Sequence, residues 1–309
     1  MYPARGRAWG AIRWSLHMRL LTPEGNPPPT RRSIAASLFF TGYATAAVSS
    51  CASPVTTPSD ELIIEDVHVE GAGGYSLPAY VARPSGRGRH PCVIVVNEIF
   101  GIHDYIKDVC RRFAREGYVA IAPDYFDRAG DPAPMTDFQA ILAIVGTANH
   151  EQVMADTEGT INWLKGQRFA QGDAIGITGF CWGGTVVWMA AARFPDIKAG
   201  VAWYGRIVKP APGRWGADED RPWPYDIGGT LHTPVLGLYA ENDNGIPLEG
   251  VEQMRASLQA ADNPSNSQIV VYPGVQHGFH ADYRESYNAE AAADGWARCL
   301  AWFRGNGVG

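Results

Sequence analysis

Basic residues are in deficit: the 309 residues carry 26 Lys and Arg against 32 Asp and Glu, a formal net charge of −6. Nucleic acid is bound by displacing counterions with a cationic surplus, so a nucleic-acid partner is excluded on charge. Cysteine is scarce as well. Five in the chain, with no Cys-x-x-Cys pair, exclude a disulfide scaffold and a paired-thiol redox motif. No run of about 20 strongly apolar residues is present to span a membrane, and no repeat recurs at a fixed period. What is present is a composition 46% hydrophobic and 19% charged, long enough to bury a full core. Gly and Pro are plentiful, at 35 and 22, which suits many tight turns.

The net charge hides a split. Residues 1–59 hold six Arg and one Glu, or +5, leaving −11 for residues 60–309. Thr30-Arg31-Arg32-Ser33-Ile34 opens an uncharged run that reaches Ser59. Two arginines, a moderate apolar stretch and then small residues form the layout of a twin-arginine export signal. Residues 1–59 are thus expected to be a signal and linker, with Met18 as an alternative start and the twin-arginine machinery as a partner. Cleavage is expected after Ala46 or Ser49, or ahead of Cys51 if Val48-Ser49-Ser50-Cys51 serves as a lipobox and Cys51 is acylated. The expected location is the periplasm, or the cytoplasm if the leader is no signal.

From residue 60 the pattern alternates. Apolar or alternating runs at 62–69, 76–83, 92–96, 119–122, 174–178, 199–203, 235–239 and 269–272 read as strands. Helical spacing at 104–116, 151–165, 183–193, 249–261 and 287–303 separates or follows them. Strands alternating with helices predict one α/β domain over 60–309, a mostly parallel central sheet with helices on both faces. No feature marks a subunit interface, so a monomer is expected.

In such sheets ligands bind beyond the carboxyl ends of the strands. The segment 174–178 leads into Gly179-Phe180-Cys181-Trp182-Gly183-Gly184, a strand, a Gly-x-Cys-x-Gly turn and a helix. This is a nucleophile elbow with sulfur in place of oxygen. Asp243 follows the strand at 235–239 and His277 follows the one at 269–272. Nucleophile, acid and base in that order are the arrangement of the α/β-hydrolase fold. His277 then accepts the thiol proton, and Asp243 fixes its tautomer; Glu241 is the other acid in the same loop. Tyr125, Arg128, Tyr204, Phe279 and His280, also past strand ends, are candidate substrate contacts.

The stretches Val93-Ile94-Val95-Val96-Asn97-Glu98-Ile99-Phe100-Gly101-Ile102, Gly117 to Phe126 and Gly179 to Gly184 resemble the dienelactone hydrolase family, over residues 60 to 304. The resemblance implies a carboxymethylenebutenolidase-like hydrolase that cleaves a small lactone or carboxylic ester through a thioester acyl-enzyme, without a cofactor. It implies that Glu98 holds and deprotonates the resting thiol, and that the backbone N–H groups of Ile99 and Trp182 form the oxyanion hole. Arg128 lies near one of the family's two carboxylate-binding arginines. At the other position, four residues past the histidine, stands Ala281, with His280 and Arg284 as possible replacements.

Residues 208–233, rich in Pro and Gly and carrying Trp215, Trp223 and Tyr225, are expected to form a wall or lid over the Cys181 pocket. Other readings have less support. His277, His280 and Asp282 are loosely spaced for a metal and lack a Cys or Glu-x-x-His partner, so no metal is expected. A thiol redox or sensor protein, or a non-catalytic binding protein on the same fold, remains the alternative to the hydrolase.

Overall fold

The structure, a computed structural model, describes residues 54–259 and 265–309. The leader with its arginine pair, Met18, Cys51 and both cleavage sites lies outside the described residues. In chain order the elements are β1 (Leu62–Glu70), β2 (Ser76–Pro84), β3 (His90–Val96), α1 (Asp104–Arg115), β4 (Val119–Pro123), α2 (Phe138–Val145), α3 (His150–Gly166) and β5 (Ala170–Phe180). There follow α4 (Trp182–Arg193), β6 (Ile197–Trp203), α5 (Pro224–Ile227), β7 (Val235–Ala240), α6 (Leu248–Gln259), β8 (Gln268–Tyr272) and α7 (Ala289–Gly305).

The eight strands form one sheet in the order β1-β2-β4-β3-β5-β6-β7-β8. β1 and β2 run antiparallel to each other and β2 to β4; from β4 through β8 every pair is parallel. Burial explains the split in sequence style. β4 and β7 are buried along their whole length, and Cys92 to Val96 of β3 is fully buried, so these strands read as unbroken apolar runs. β1, at the edge, carries Glu65, Asp66 and Glu70 outward, and charge there discourages further strand pairing.

Helices cover both faces. On α7, Phe303 packs on Gly176 of β5, and Phe303 and Trp296 also meet Phe113 of α1. Gly179 lies an odd number of residues further along β5, hence on the other face. There it touches Gly183 of α4. Because the strands are parallel, Glu98, Cys181, Tyr204, Asp243 and His277 all emerge at one edge, past β3, β5, β6, β7 and β8.

Three features differ from the sequence reading. α2 is an unforeseen helix after β4, capped by Asp137, whose Oδ1 accepts from the N–H groups of Gln139 and Ala140. β5 begins at Ala170, four residues early, because His90 of β3 pairs there before a bulge. The linker also packs sooner than residue 60: the Thr57 N–H and hydroxyl donate to Asp108 of α1 at 2.6 and 3.1 Å. Among the described residues no helix is long and apolar enough to cross a membrane.

Candidate active site

Cys181 occupies the single residue between β5 and α4, with φ 57° and ψ −117°. A side chain in this left-handed region is strained by roughly 1–3 kcal/mol and persists only where the surroundings enforce it. Here they do. The Cys181 N–H donates to the Trp203 carbonyl at 3.0 Å, and the Gly184 N–H donates to the Cys181 carbonyl at 3.0 Å. The glycines are a steric demand: a Cβ at Gly179 would fall 2.4 Å from the Gly183 oxygen, and one at Gly183 would fall 2.6 Å from the Asn97 oxygen. Strand and helix thus meet backbone to backbone, leaving the sulfur at the start of α4. Trp182, first in that helix, has no intrahelical acceptor for its N–H.

His277 Nδ1 donates to Asp243 Oδ2 at 2.6 Å. Asp243 is itself fixed, since its Oδ1 accepts from the Gly245 and Ile246 N–H groups at 2.8 and 3.1 Å. Burial works against a charged His277, but the Asp243 carboxylate and then the Cys181 sulfur outweigh it and raise the imidazole to about 10. The other acid of the loop faces away from the imidazole, into the next turn, where Glu241 Oε2 accepts from the Gly274 N–H at 2.7 Å.

Beside this trio lies a buried polar cluster. The Tyr283 hydroxyl donates to Glu98 Oε2 at 2.6 Å, His103 Nε2 lies 3.5 Å from the same oxygen, and Arg284 Nη2 lies 3.4 Å from Oε1. Burial alone would push the Glu98 carboxyl up, yet Arg284, His103 and Tyr283 together bring it down to about 2. The Arg284 guanidinium also feels the charge of the Cys181 sulfur.

Residues 77–306 match the dienelactone hydrolase family. A Methylorubrum extorquens protein named "Putative carboxymethylenebutenolidase" is 42% identical over 281 residues, covering 90% of this chain and 94% of its own. An Escherichia coli protein of the same name is 43% identical over 265 residues, covering 85% and 94%. The chain belongs to the dienelactone hydrolase family. It is a dienelactone hydrolase-like enzyme on the α/β-hydrolase fold. A crystal structure titled as a "Putative Dienelactone Hydrolase" from Klebsiella pneumoniae superimposes with a TM-score of 0.73 at 43% identity, over 79% of this chain and 98% of that one.

Within the dienelactone hydrolase pattern, several side chains take other positions than the sequence suggested. Glu98 is held by three neighbours. Its oxygens go to Tyr283, His103 and Arg284, because a cation and a hydroxyl bind a carboxylate more strongly than a weakly polar S–H does. Arg128 is committed elsewhere, in a two-pronged pair with Asp156 at 2.7 and 2.8 Å while it stacks on Tyr75. The Tyr125 hydroxyl shares a 2.9 Å hydrogen bond with Thr157, and Phe279 is a buried ring against Trp203, Tyr204 and Tyr272. His280 is core: its Nδ1 shares a 2.6 Å hydrogen bond with the Tyr105 hydroxyl, and burial lowers it well below the usual imidazole range. Of the two candidates to replace the absent arginine at Ala281, His280 is thus taken up by Tyr105 and Arg284 pairs with Glu98.

Tyr204 does stay with the trio, its ring edge-on to His277 at 5.0 Å. Its hydroxyl is buried and has no hydrogen-bond partner among the described residues. His103 and Tyr283 had no signal in the sequence. His277, His280 and Asp282 turn to Asp243, Tyr105 and Arg112 respectively. As for redox chemistry, burial pushes Cys92 up to about 12 and raises Cys110 and Cys299 as well, so none of these is a ready thiolate partner.

Proposed function

We propose that the enzyme hydrolyses a small carboxylic ester or lactone through a thioester on Cys181, with His277 as acid and base and Asp243 as its orienting carboxylate. The observation that supports this reading is the strained Cys181 at the head of α4, together with a histidine that Asp243 locks by Nδ1 and whose proton the Cys181 sulfur helps to hold. The relatives named for carboxymethylenebutenolidase support the substrate class.

The chemistry balances in two steps. His277, charged in the resting site, holds the thiol proton while the sulfur attacks the carbonyl carbon. The new C–S bond forms, the C–O bond to the alcohol breaks, and His277 returns the proton to the leaving oxygen. Water then attacks the thioester, its proton passes to His277, and the C–S bond breaks to give the acid and the free thiol. In each step the carbonyl oxygen carries the transient negative charge, which the N–H groups of Ile99 and Trp182 are assigned to receive. Glu98 orders Arg284 and Tyr283, a supporting role.

Turnover of p-nitrophenyl acetate and a small lactone tests the assignment. Cys181→Ala is expected to be inactive, and a brief incubation with p-nitrophenyl acetate is expected to add one acetyl mass to wild type. Equal turnover by wild type and Cys181→Ala would sink the reading. The basic leader with Arg31-Arg32 supports export, and the intact mass of protein from a periplasmic fraction checks that proposal and any lipid on Cys51.

A further inference from the structure

A cavity of about 660 Å³ opens beside the carboxyl edge of the sheet. α2, residues 206–215 of the β6–β7 connection and the turn at 244–247 wall it, while Cys181, His277 and Glu98 are not among its lining residues. The long connection therefore shapes a chamber next to the trio. Its volume lies in the range of about 300–1,000 Å³ usual for small-molecule sites.

The lining has one sign. Among the described residues, Arg206, Lys209 and Arg214 face the cavity and no acidic residue lines it, in a chain whose net charge is −6. Phe138, Leu142 and Trp215 supply apolar wall between the cations. Arg206 is fixed at both ends: its Nη1 donates to the Trp215 carbonyl at 2.8 Å, and its own carbonyl accepts from the Thr185 hydroxyl at 2.9 Å. Lys209 and Arg214 are exposed and have no acidic partner among the described residues. The like charges of Lys209 and Arg214 on one space repel each other, and an anion between them removes that repulsion.

The geometry points to a binding site for an amphipathic organic anion, an apolar body of aromatic size bearing a carboxylate or a phosphate. The body lies on Phe138, Leu142 and Trp215, and the acidic group meets the three cations. Binding here needs neither the thiol nor turnover. Gly245 and Ile246, whose N–H groups hold Asp243, line the same cavity, so a seated ligand touches the turn that positions the His277 partner.

Calorimetric titration of the full chain with naphthalene-2-carboxylate, 2-naphthyl phosphate and neutral 2-naphthamide tests the site. Both anions are expected to bind wild type and Cys181→Ala alike, and the amide at least tenfold more weakly. The relative affinity of the two anions tells carboxylate from phosphate chemistry. The triple variant Arg206→Gln/Lys209→Gln/Arg214→Gln is expected to lose at least tenfold for the anions and nothing for the amide. If that variant fails to fold, Lys209→Gln and Arg214→Gln singly, both at exposed positions, are each expected to weaken the anions about threefold, with the loss shrinking at high salt. Equal affinity for amide and anions, or unchanged anion binding in the charge variants, would overturn the site. Loss of anion binding in Cys181→Ala would place the anion at the thiol instead and overturn it as well.

Discussion

Arg284 Nη2 lies 3.4 Å from Oε1 of Glu98, a carboxylate with no exposed surface, and the two residues are far apart in the chain. Removing one member of a buried pair leaves an uncompensated charge, at a cost of about 3–5 kcal/mol. Arg284→Met is therefore expected to lower the melting temperature by roughly 10 °C, at 2–4 °C per kcal/mol for a domain of this size. Adding Glu98→Gln removes the stranded charge, so the double variant should recover part of the loss. Denaturant unfolding of all four proteins gives the cycle, and simple additivity would show that the two groups do not depend on each other.

Stability should also report on His277. Its imidazole is raised to about 10 against roughly 6.5 in an unfolded chain. A raised value means that the folded state binds the proton more tightly, so this contribution is complete below about pH 6.5 and is lost as pH rises through 10. Asp243→Asn removes the carboxylate that raises it. Wild type is expected to lose unfolding free energy between about pH 6.5 and 10 relative to Asp243→Asn, measured by urea titration at each pH. Parallel curves would mean that His277 is not held charged by Asp243.

The strain at Cys181 has its own signature. Elsewhere in a helix or strand, Gly is less stable than Ala by about 0.5–1 kcal/mol. At φ 57° and ψ −117° the order should reverse, because only glycine adopts that backbone without a Cβ penalty. Cys181→Gly and Cys181→Ala both lack the sulfur and both should be inactive. Cys181→Gly is expected to unfold at the higher denaturant concentration, by about 1 kcal/mol.

Cys181, Asp243 and His277 could be read from the chain because each stands a few residues past a short apolar strand, and parallel strands bring those ends to one edge. The central strands were legible because burial on both faces leaves an unbroken apolar run, and β1 and β2 because apolar and polar residues alternate along them. α2 was missed although Asp137 precedes an apolar stretch from Phe138 to Val145, because no strand follows it directly and the alternation offered it no place. The buried cluster could not be read at all. Glu98, His103, Tyr283 and Arg284 share no local spacing, and only the fold brings the loop after β3 against the segment after His277. Family likeness points Glu98 at the thiol, and no local pattern shows that Arg284, three residues past Ala281, also pairs with it.

Tyr204 separates stability from function. A buried hydroxyl without a partner costs about 1–3 kcal/mol, so Tyr204→Phe is expected to leave the fold unchanged or more stable by up to about 1 kcal/mol. Burial raises the phenol well above its usual value, so the hydroxyl keeps its proton and is a donor across the working pH range. Beside His277, its natural acceptor is an oxygen of the bound ester. Losing one such bond, at about 1.4 kcal/mol, lowers kcat/KM roughly tenfold. The split between parameters then locates the bond: a higher KM with kcat held means the hydroxyl meets the substrate already in the ground state, and a fall in kcat with kcat/KM means it acts only in the transition state. A Tyr204→Phe protein that is less stable with unchanged kinetics would make the residue a packing side chain. The cost of a buried hydroxyl without a partner is offset once a bound molecule accepts from it.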